Sequence, residues 1–171
     1  QYAQWVAHTQ WAEMRAQLDA MGVEVMGDLP FVVGRDSADV WSHADEFRRD
    51  TSVGAPADQF DRDGQEWGLP PYDWSVMRAN GFRWLRRRAQ YAGSLYHRFR
   101  IDHLVGFFRT YQRPVDKLRG VDGRLLPGFF DPADEAAQHR HGQDVLRAMI
   151  DAARAEGADV LAEDLGVLPD Y

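Results

Sequence analysis

The sequence predicts an α/β fold assembled from parallel βα units. Helical apolar periodicity passes into a short apolar strand three times along the 171 residues, with no antiparallel hairpin signal between those strands. A carboxylate stands at the end of each strand: Asp28 after Val25-Met26-Gly27, Asp102 after Phe99-Arg100-Ile101, and Glu163-Asp164 after Val160-Leu161-Ala162.

Trp11, Met14, Leu18 and Met21 recur at helical spacing, with Gly22 as a stop, so residues 2–21 read as an amphipathic helix. Residues 23–29 form the first strand. Residues 30–74 are dense in Gly, Pro, Asp and Ser and offer only a short helix around 37–47. Loops of that length usually carry function. Trp41, Tyr72 and Trp74 read as residues that pack this loop region. A second helix over 76–92 runs into the strand 99–102. After an irregular stretch, 113–134, a third helix over 143–156 stops at Gly157 and leads into the strand 159–162.

Composition narrows the partners. A hydrophobic content of 44% is enough for a folded core in one domain or part of one. The chain has no cysteine, which excludes a thiol nucleophile, a disulfide framework and thiolate metal sites. No apolar run approaches the roughly 20 residues that span a bilayer, and no signal pattern opens the chain, so the expectation is a cytoplasmic protein with no membrane partner. The net charge of −7 argues against nucleic acid, and the run Arg86-Arg87-Arg88 reads as a solvated helix face. Several of the six tryptophans stand in Gly/Pro/Asp-rich segments, as they do on carbohydrate-binding surfaces.

In α/β barrels and open parallel sheets alike, ligands bind at the carboxyl ends of the strands, so three carboxylates there point to one acidic site. Retaining glycoside chemistry needs a carboxylate nucleophile and a protonated carboxylic acid about 5 to 5.5 Å apart. Neighbouring strands about 4.8 Å apart place residues at equivalent ends at that separation, so Asp102 and Glu163 form a suitable pair. Arg100, two residues before Asp102, shares its side of the strand and is expected to hold that carboxylate ionised and oriented, favouring Asp102 as nucleophile. Glu163 then takes the acid/base role, with a neighbouring negative charge helping it keep its proton.

These residues resemble the 4-α-glucanotransferases, the amylomaltases or disproportionating enzymes of glycoside hydrolase family 77 in the α-amylase clan. The resemblance covers essentially the whole chain. It is carried by Gly27-Asp28-Leu29-Pro30, Asp36-Ser37-Ala38-Asp39-Val40-Trp41, Gly54-Ala55-Pro56 with Asp58 and Phe60, and Gly64-Gln65-Glu66-Trp67-Gly68-Leu69-Pro70-Pro71-Tyr72. Further on come Arg100-Ile101-Asp102-His103 with Gly106-Phe107, and Ala162-Glu163-Asp164-Leu165-Gly166.

The resemblance implies that Asp102 is the catalytic nucleophile forming a glucosyl-enzyme, Glu163 the catalytic acid/base, and Arg100 the partner that orients them. Asp28 is similar to the clan's first-motif aspartate facing the sugar. Trp67 is similar to the acceptor-side aromatic, and Phe60 to an aromatic on the loop that clasps the glucan. His103 reads as a packing or supporting residue rather than a catalyst. The fold implied is the central portion of a (β/α)8 TIM barrel, about three βα units with long active-site loops. Residues 1–171 are then a piece of the catalytic domain, with a glucan-binding region inserted at about 30–74. The activity implied is transfer of 1,4-α-glucan segments between maltooligosaccharides or starch- or glycogen-derived glucans, with no cofactor and no metal.

Two departures stand out. The third catalytic carboxylate of the family, in a His-Asp-Asn motif, is not in this sequence, and Gln59 stands where some members have Tyr. Three strands cannot close a barrel of eight, so this length alone is expected to be inactive. Other readings are an inactive glucan-binding fragment and a hydrolase of the same clan. A metal-dependent barrel hydrolase would need paired histidines near the acidic site, and the sequence has none there.

Overall fold

The computed structural model describes residues 1–59 and 61–163. Phe60 and the Asp164-Leu165-Gly166 segment of the last motif lie outside the described residues.

The three expected strands are present as β1 (Met26–Leu29), β4 (Arg98–Ile101) and β7 (Asp159–Ala162). They form one parallel sheet in the order β1-β4-β7. Phe99 and Ile101 point to one face of β4 and are fully buried, whereas Arg98 and Arg100 alternate onto the other. The buried face is covered by two helices, α4 (Arg83–Leu95) and α5 (Glu135–Ala155). Leu85, Ala89 and Ala92 of α4 and Val145, Met149, Ala152 and Ala153 of α5 supply the core there.

Helix α1 (Tyr2–Ala20) forms as its periodicity predicts, and Gly22 stops it at φ +70°. Its apolar stripe is only half covered among the described residues: Trp11 donates to the Leu95 carbonyl at 3.1 Å and meets Tyr96 edge-on. The helix expected over 76–92 is two helices, α3 (Trp74–Ala79) and α4. Asn80-Gly81 is a turn signal inside the apolar period. Gly81 and Phe82 take left-handed φ of +68° and +56°, and the Asn80 side chain accepts from the Arg83 amide. α5 starts eight residues before the expected 143, because Asp134 caps it by accepting from Ala137 N at 2.8 Å.

The largest correction concerns the stretches 30–74 and 103–134, where the sequence predicts no strand. They contain β2 (Thr51–Ala55), β3 (Gln65–Leu69), β5 (Thr110–Pro114) and β6 (Phe129–Asp131), which form a four-stranded antiparallel sheet in the order β3-β2-β5-β6. A short helix, α2 (Ala38–Ser42), precedes it with Ser37 as cap. The expectation of no antiparallel pairing therefore fails. These strands are short, three of the four carry glycine or proline, and a bulge between Val53 and Gly54 breaks the alternation of the β2–β3 pair. Their sheet is tied by a polar interior the sequence gives no hint of. Arg113, 1% exposed, donates to the carbonyls of Leu126, Ala55, Asp63 and Gln65, and Thr51 donates to Gln112 at 2.9 Å.

Tyr72 and Trp74 pack the interior as expected, but Trp41 does not, being 84% exposed. Among the described residues no helix is long and apolar enough to cross a membrane.

One buried group makes this fold sensitive to acid. His141 on α5 is 2% exposed, its Nδ1 accepts from Arg78 at 2.8 Å, and its ring lies 4.5 Å from Trp74. Burial, reinforced by Arg78 and opposed by Asp144, pushes its pKa from 6.5 down to about 4. Protonation therefore favours the unfolded chain, so stability present above pH 6.5 is lost as pH falls towards about 4. The shift corresponds to at most about 3 kcal/mol. Denaturant titrations at stepped pH should show this slope, and His141→Phe should flatten it.

Candidate active site

The parallel register brings the predicted residues together. Asp28 stands opposite Arg100, and Ile101 opposite Ala162, so Asp102 and Glu163 follow at equivalent strand ends. The ladder continues to that point, with Asp102 N donating to the Leu29 carbonyl at 3.1 Å and Glu163 N to the Ile101 carbonyl at 3.2 Å.

Arg100 is the hub. Its Nε and Nη2 donate to the two oxygens of Asp28, each at 2.9 Å. Nη1 donates to Glu163 Oε1 at 2.7 Å, and Nη2 also reaches Asp102 Oδ1 at 3.1 Å. One guanidinium thus gathers three carboxylates from three strands, where a metal ion would otherwise be the simplest way to neutralise them. Among the described residues no group of three or more His, Asp or Glu is arranged to hold a metal.

The electrostatics differ from the simplest expectation. Arg100 holds the Asp28 carboxyl below the usual carboxylate range, and its own pKa is raised in return. Asp102 moves the other way. Burial and the adjacent Glu163 push its pKa up, and Arg100 only partly offsets them. Arg100 favours the ionised form of Asp102 as expected, but its bidentate contact goes to Asp28 and Asp102 receives a single longer one, so burial and Glu163 outweigh it.

His103 follows Asp102 in a left-handed conformation, φ +47°, which is uncommon for a residue with a side chain. Its backbone N–H donates to Glu163 Oε2 at 2.8 Å, so both Glu163 oxygens accept a hydrogen bond. The His103 ring sits between Phe31, at 5.5 Å, and Trp67, at 5.0 Å, and burial lowers its pKa. It is a supporting residue in the cleft wall.

Trp67, on β3, lines the same cleft, oriented by its Nε1–H to Gln65 Oε1 at 2.9 Å. Pro30, Phe31, Trp67, Asp102, His103 and Glu163 are among the residues lining a cleft of about 410 Å3. Of the predicted residues, Asp102, Glu163 and Trp67 line this cleft, and Asp28 is tied to the two carboxylates through Arg100.

Sequence reasoning missed the residues behind the cleft. Arg88, read as part of a solvated face with Arg86 and Arg87, donates to the carbonyls of Pro30 and Phe31 and to the Tyr72 hydroxyl. Arg86 and Arg87 are exposed as expected. Helical spacing carries the missing signal: Arg88 follows Trp84 by four positions and Leu85 by three, which puts it on the buried side.

Comparison with known proteins finds the chain similar to 4-alpha-glucanotransferases. The chain is 34% identical over 173 residues to a 4-alpha-glucanotransferase of Thermus thermophilus, covering 98% of this chain and 32% of that protein. It superimposes on an amylomaltase from Streptococcus agalactiae solved in complex with acarbose, at a TM-score of 0.77 and 28% identity over 95% of this chain and 31% of that one. It also superimposes on the amylomaltase from Corynebacterium glutamicum, at a TM-score of 0.78 and 25% identity over 99% of this chain and 22% of that one. The chain therefore spans about a third of the length of the curated relatives it matches. The 4-alpha-glucanotransferase profile of glycoside hydrolase family 77 matches residues 1–171, and the chain belongs to that family.

Proposed function

We propose that these residues are the central part of the (β/α)8 catalytic barrel of a 4-α-glucanotransferase that moves 1,4-α-glucan segments between maltooligosaccharides by retaining double displacement. The observation that carries this reading is the single guanidinium of Arg100 joining Asp28, Asp102 and Glu163 at adjoining strand ends, with Asp102 and Glu163 lining a cleft that an indole also lines. The amylomaltase of the same fold that holds acarbose supports a saccharide as occupant.

In this reading Glu163 protonates the leaving glycosidic oxygen while Asp102 attacks the anomeric carbon, giving a glucosyl-enzyme and a shortened glucan. The 4-hydroxyl of a second glucan, deprotonated by Glu163, then displaces Asp102 and restores the configuration. Asp28 faces the sugar. Trp67 presents a flat apolar face to an acceptor ring, and Phe60 does so on the clasping loop. The antiparallel sheet, which includes part of the 30–74 insertion, forms a glucan-binding wall. No cofactor takes part. A cytoplasmic enzyme acting on maltooligosaccharides or on starch- or glycogen-derived glucans is the setting we propose.

Incubating the full-length protein with maltotriose tests this. Transfer yields glucose and longer glucans at a constant number of reducing ends, whereas a rising number with no elongation would identify a hydrolase. Trp67→Ala is expected to raise the acceptor KM about tenfold, the equivalent of about 1.4 kcal/mol of lost binding. Initial rates against varied acceptor at saturating donor read that change.

A further inference from the structure

Arg88 reaches from α4 to the loop that leaves β1, and two of the three hydrogen bonds of its guanidinium go to carbonyls of that loop. Nη2 donates to the Pro30 carbonyl at 2.7 Å, and Nη1 donates to the Phe31 carbonyl at 3.3 Å and the Tyr72 hydroxyl at 3.1 Å. The group's carbon lies 4.8 Å over the Trp84 ring. Tyr72, fully buried, donates its own proton to the same Phe31 carbonyl. Burial pushes that phenol up to about 12, so it stays a donor across any working pH. A carbonyl held by two donors from two other elements cannot turn, and the Phe31 ring is placed with it.

That ring packs edge-on against Phe107 at 4.8 Å and lies tilted against His103 at 5.5 Å. A left-handed, non-glycine residue such as His103 persists only where its surroundings over-determine it. Two of those surroundings are the Phe31 ring and Gly106, where a Cβ would come within 2.7 Å of both His103 and Phe31. The outcome is the placement of one N–H, the His103 amide that donates to Glu163 Oε2.

We propose that Arg88, together with Tyr72, is a positioning residue for Glu163, acting through Phe31 on the His103 peptide whose N–H holds that carboxylate. The inference rests on the acid/base role given to Glu163 above. Arginine suits the task because its planar fork reaches two carbonyls and a hydroxyl at once, which a lysine ammonium on a flexible stem does not.

The test uses the full-length protein and two donors. Maltotriose needs a proton on its leaving oxygen, whereas fluoride leaves α-maltotriosyl fluoride without one. Displacing a catalytic group by about 1 Å can cost on the order of 100-fold, so Arg88→Met is expected to lower kcat on maltotriose roughly 10- to 100-fold with KM within about threefold. The burst of fluoride release, which reports glycosylation alone, should fall by less than about threefold because it needs no general acid. Arg88→Lys should recover little of the loss. Tyr72→Phe, which removes one hydroxyl and keeps the ring, should show the same split on a smaller scale, and it carries the test if Arg88→Met does not fold. Equal slowing of both donors, or an unchanged kcat, overturns the proposal. Glu163→Gln measured alongside separates the two readings. If it abolishes transfer while the Arg88 and Tyr72 variants leave transfer intact, only the positioning role fails; if it leaves transfer intact, the acid/base assignment fails and takes the positioning role with it.

Discussion

In the full-length protein, Asp102→Asn should abolish glucan transfer, lowering kcat by at least about four orders of magnitude, the scale on which losing a covalent nucleophile acts in other enzymes. The amide is nearly isosteric and keeps an oxygen for the Arg100 contact, but it cannot form the glucosyl-enzyme. Glu163→Gln should cost roughly 10²- to 10⁴-fold on maltooligosaccharides, the usual range for removing a general acid–base. The two losses differ in kind. With a glycosyl fluoride donor, Glu163→Gln should still release a burst of fluoride and accumulate intermediate that mass spectrometry detects on the peptide containing Asp102. Asp102→Asn should give neither burst nor adduct. A burst from Asp102→Asn, or an adduct on another residue, would reassign the nucleophile.

Replacing Arg100 has the second largest expected effect. Arg100→Met leaves Asp28, Asp102 and Glu163 facing one another without a cation. Asp102, already raised by burial and by Glu163, then loses the larger of the two influences that lower it, the other being His103. The sign follows directly: a nucleophile must be ionised, so raising its pKa moves the acid limb of kcat/KM to higher pH. Removing an adjacent guanidinium typically shifts a carboxyl by about one to three units, so that limb should move up by at least about one pH unit. Arg100→Lys should keep part of the charge effect but lose the bidentate grip on Asp28, giving a smaller shift with a lower plateau. An acid limb that stays in place in Arg100→Met would show that Asp102 does not titrate in the profile.

Much of the parallel layer was legible in the chain because its signals are local. Helical period, stop glycines and short apolar runs located α1, α5 and all three parallel strands, and the strand-end carboxylates marked the rim before any coordinates. Legibility ended where local signals were weak or misleading. Asn80-Gly81 broke one expected helix into two, and Asp134 extended another. The antiparallel sheet escaped notice because its strands hold together through Arg113, whose partners at residues 55, 63, 65 and 126 are scattered along the sequence.

From the sequence alone came the identity and order of the chemistry-bearing residues and the side of a parallel sheet on which they meet, since strand direction and a two-residue alternation are properties of the chain itself. Only the tertiary structure decided how the charges are shared: that Arg100 grips Asp28 more closely than Asp102, that Asp102 is driven up rather than down, and that Arg88 faces inward to the loop behind the cleft. Those outcomes depend on burial and on contacts between residues 57 to 72 positions apart, quantities that no window along the chain contains.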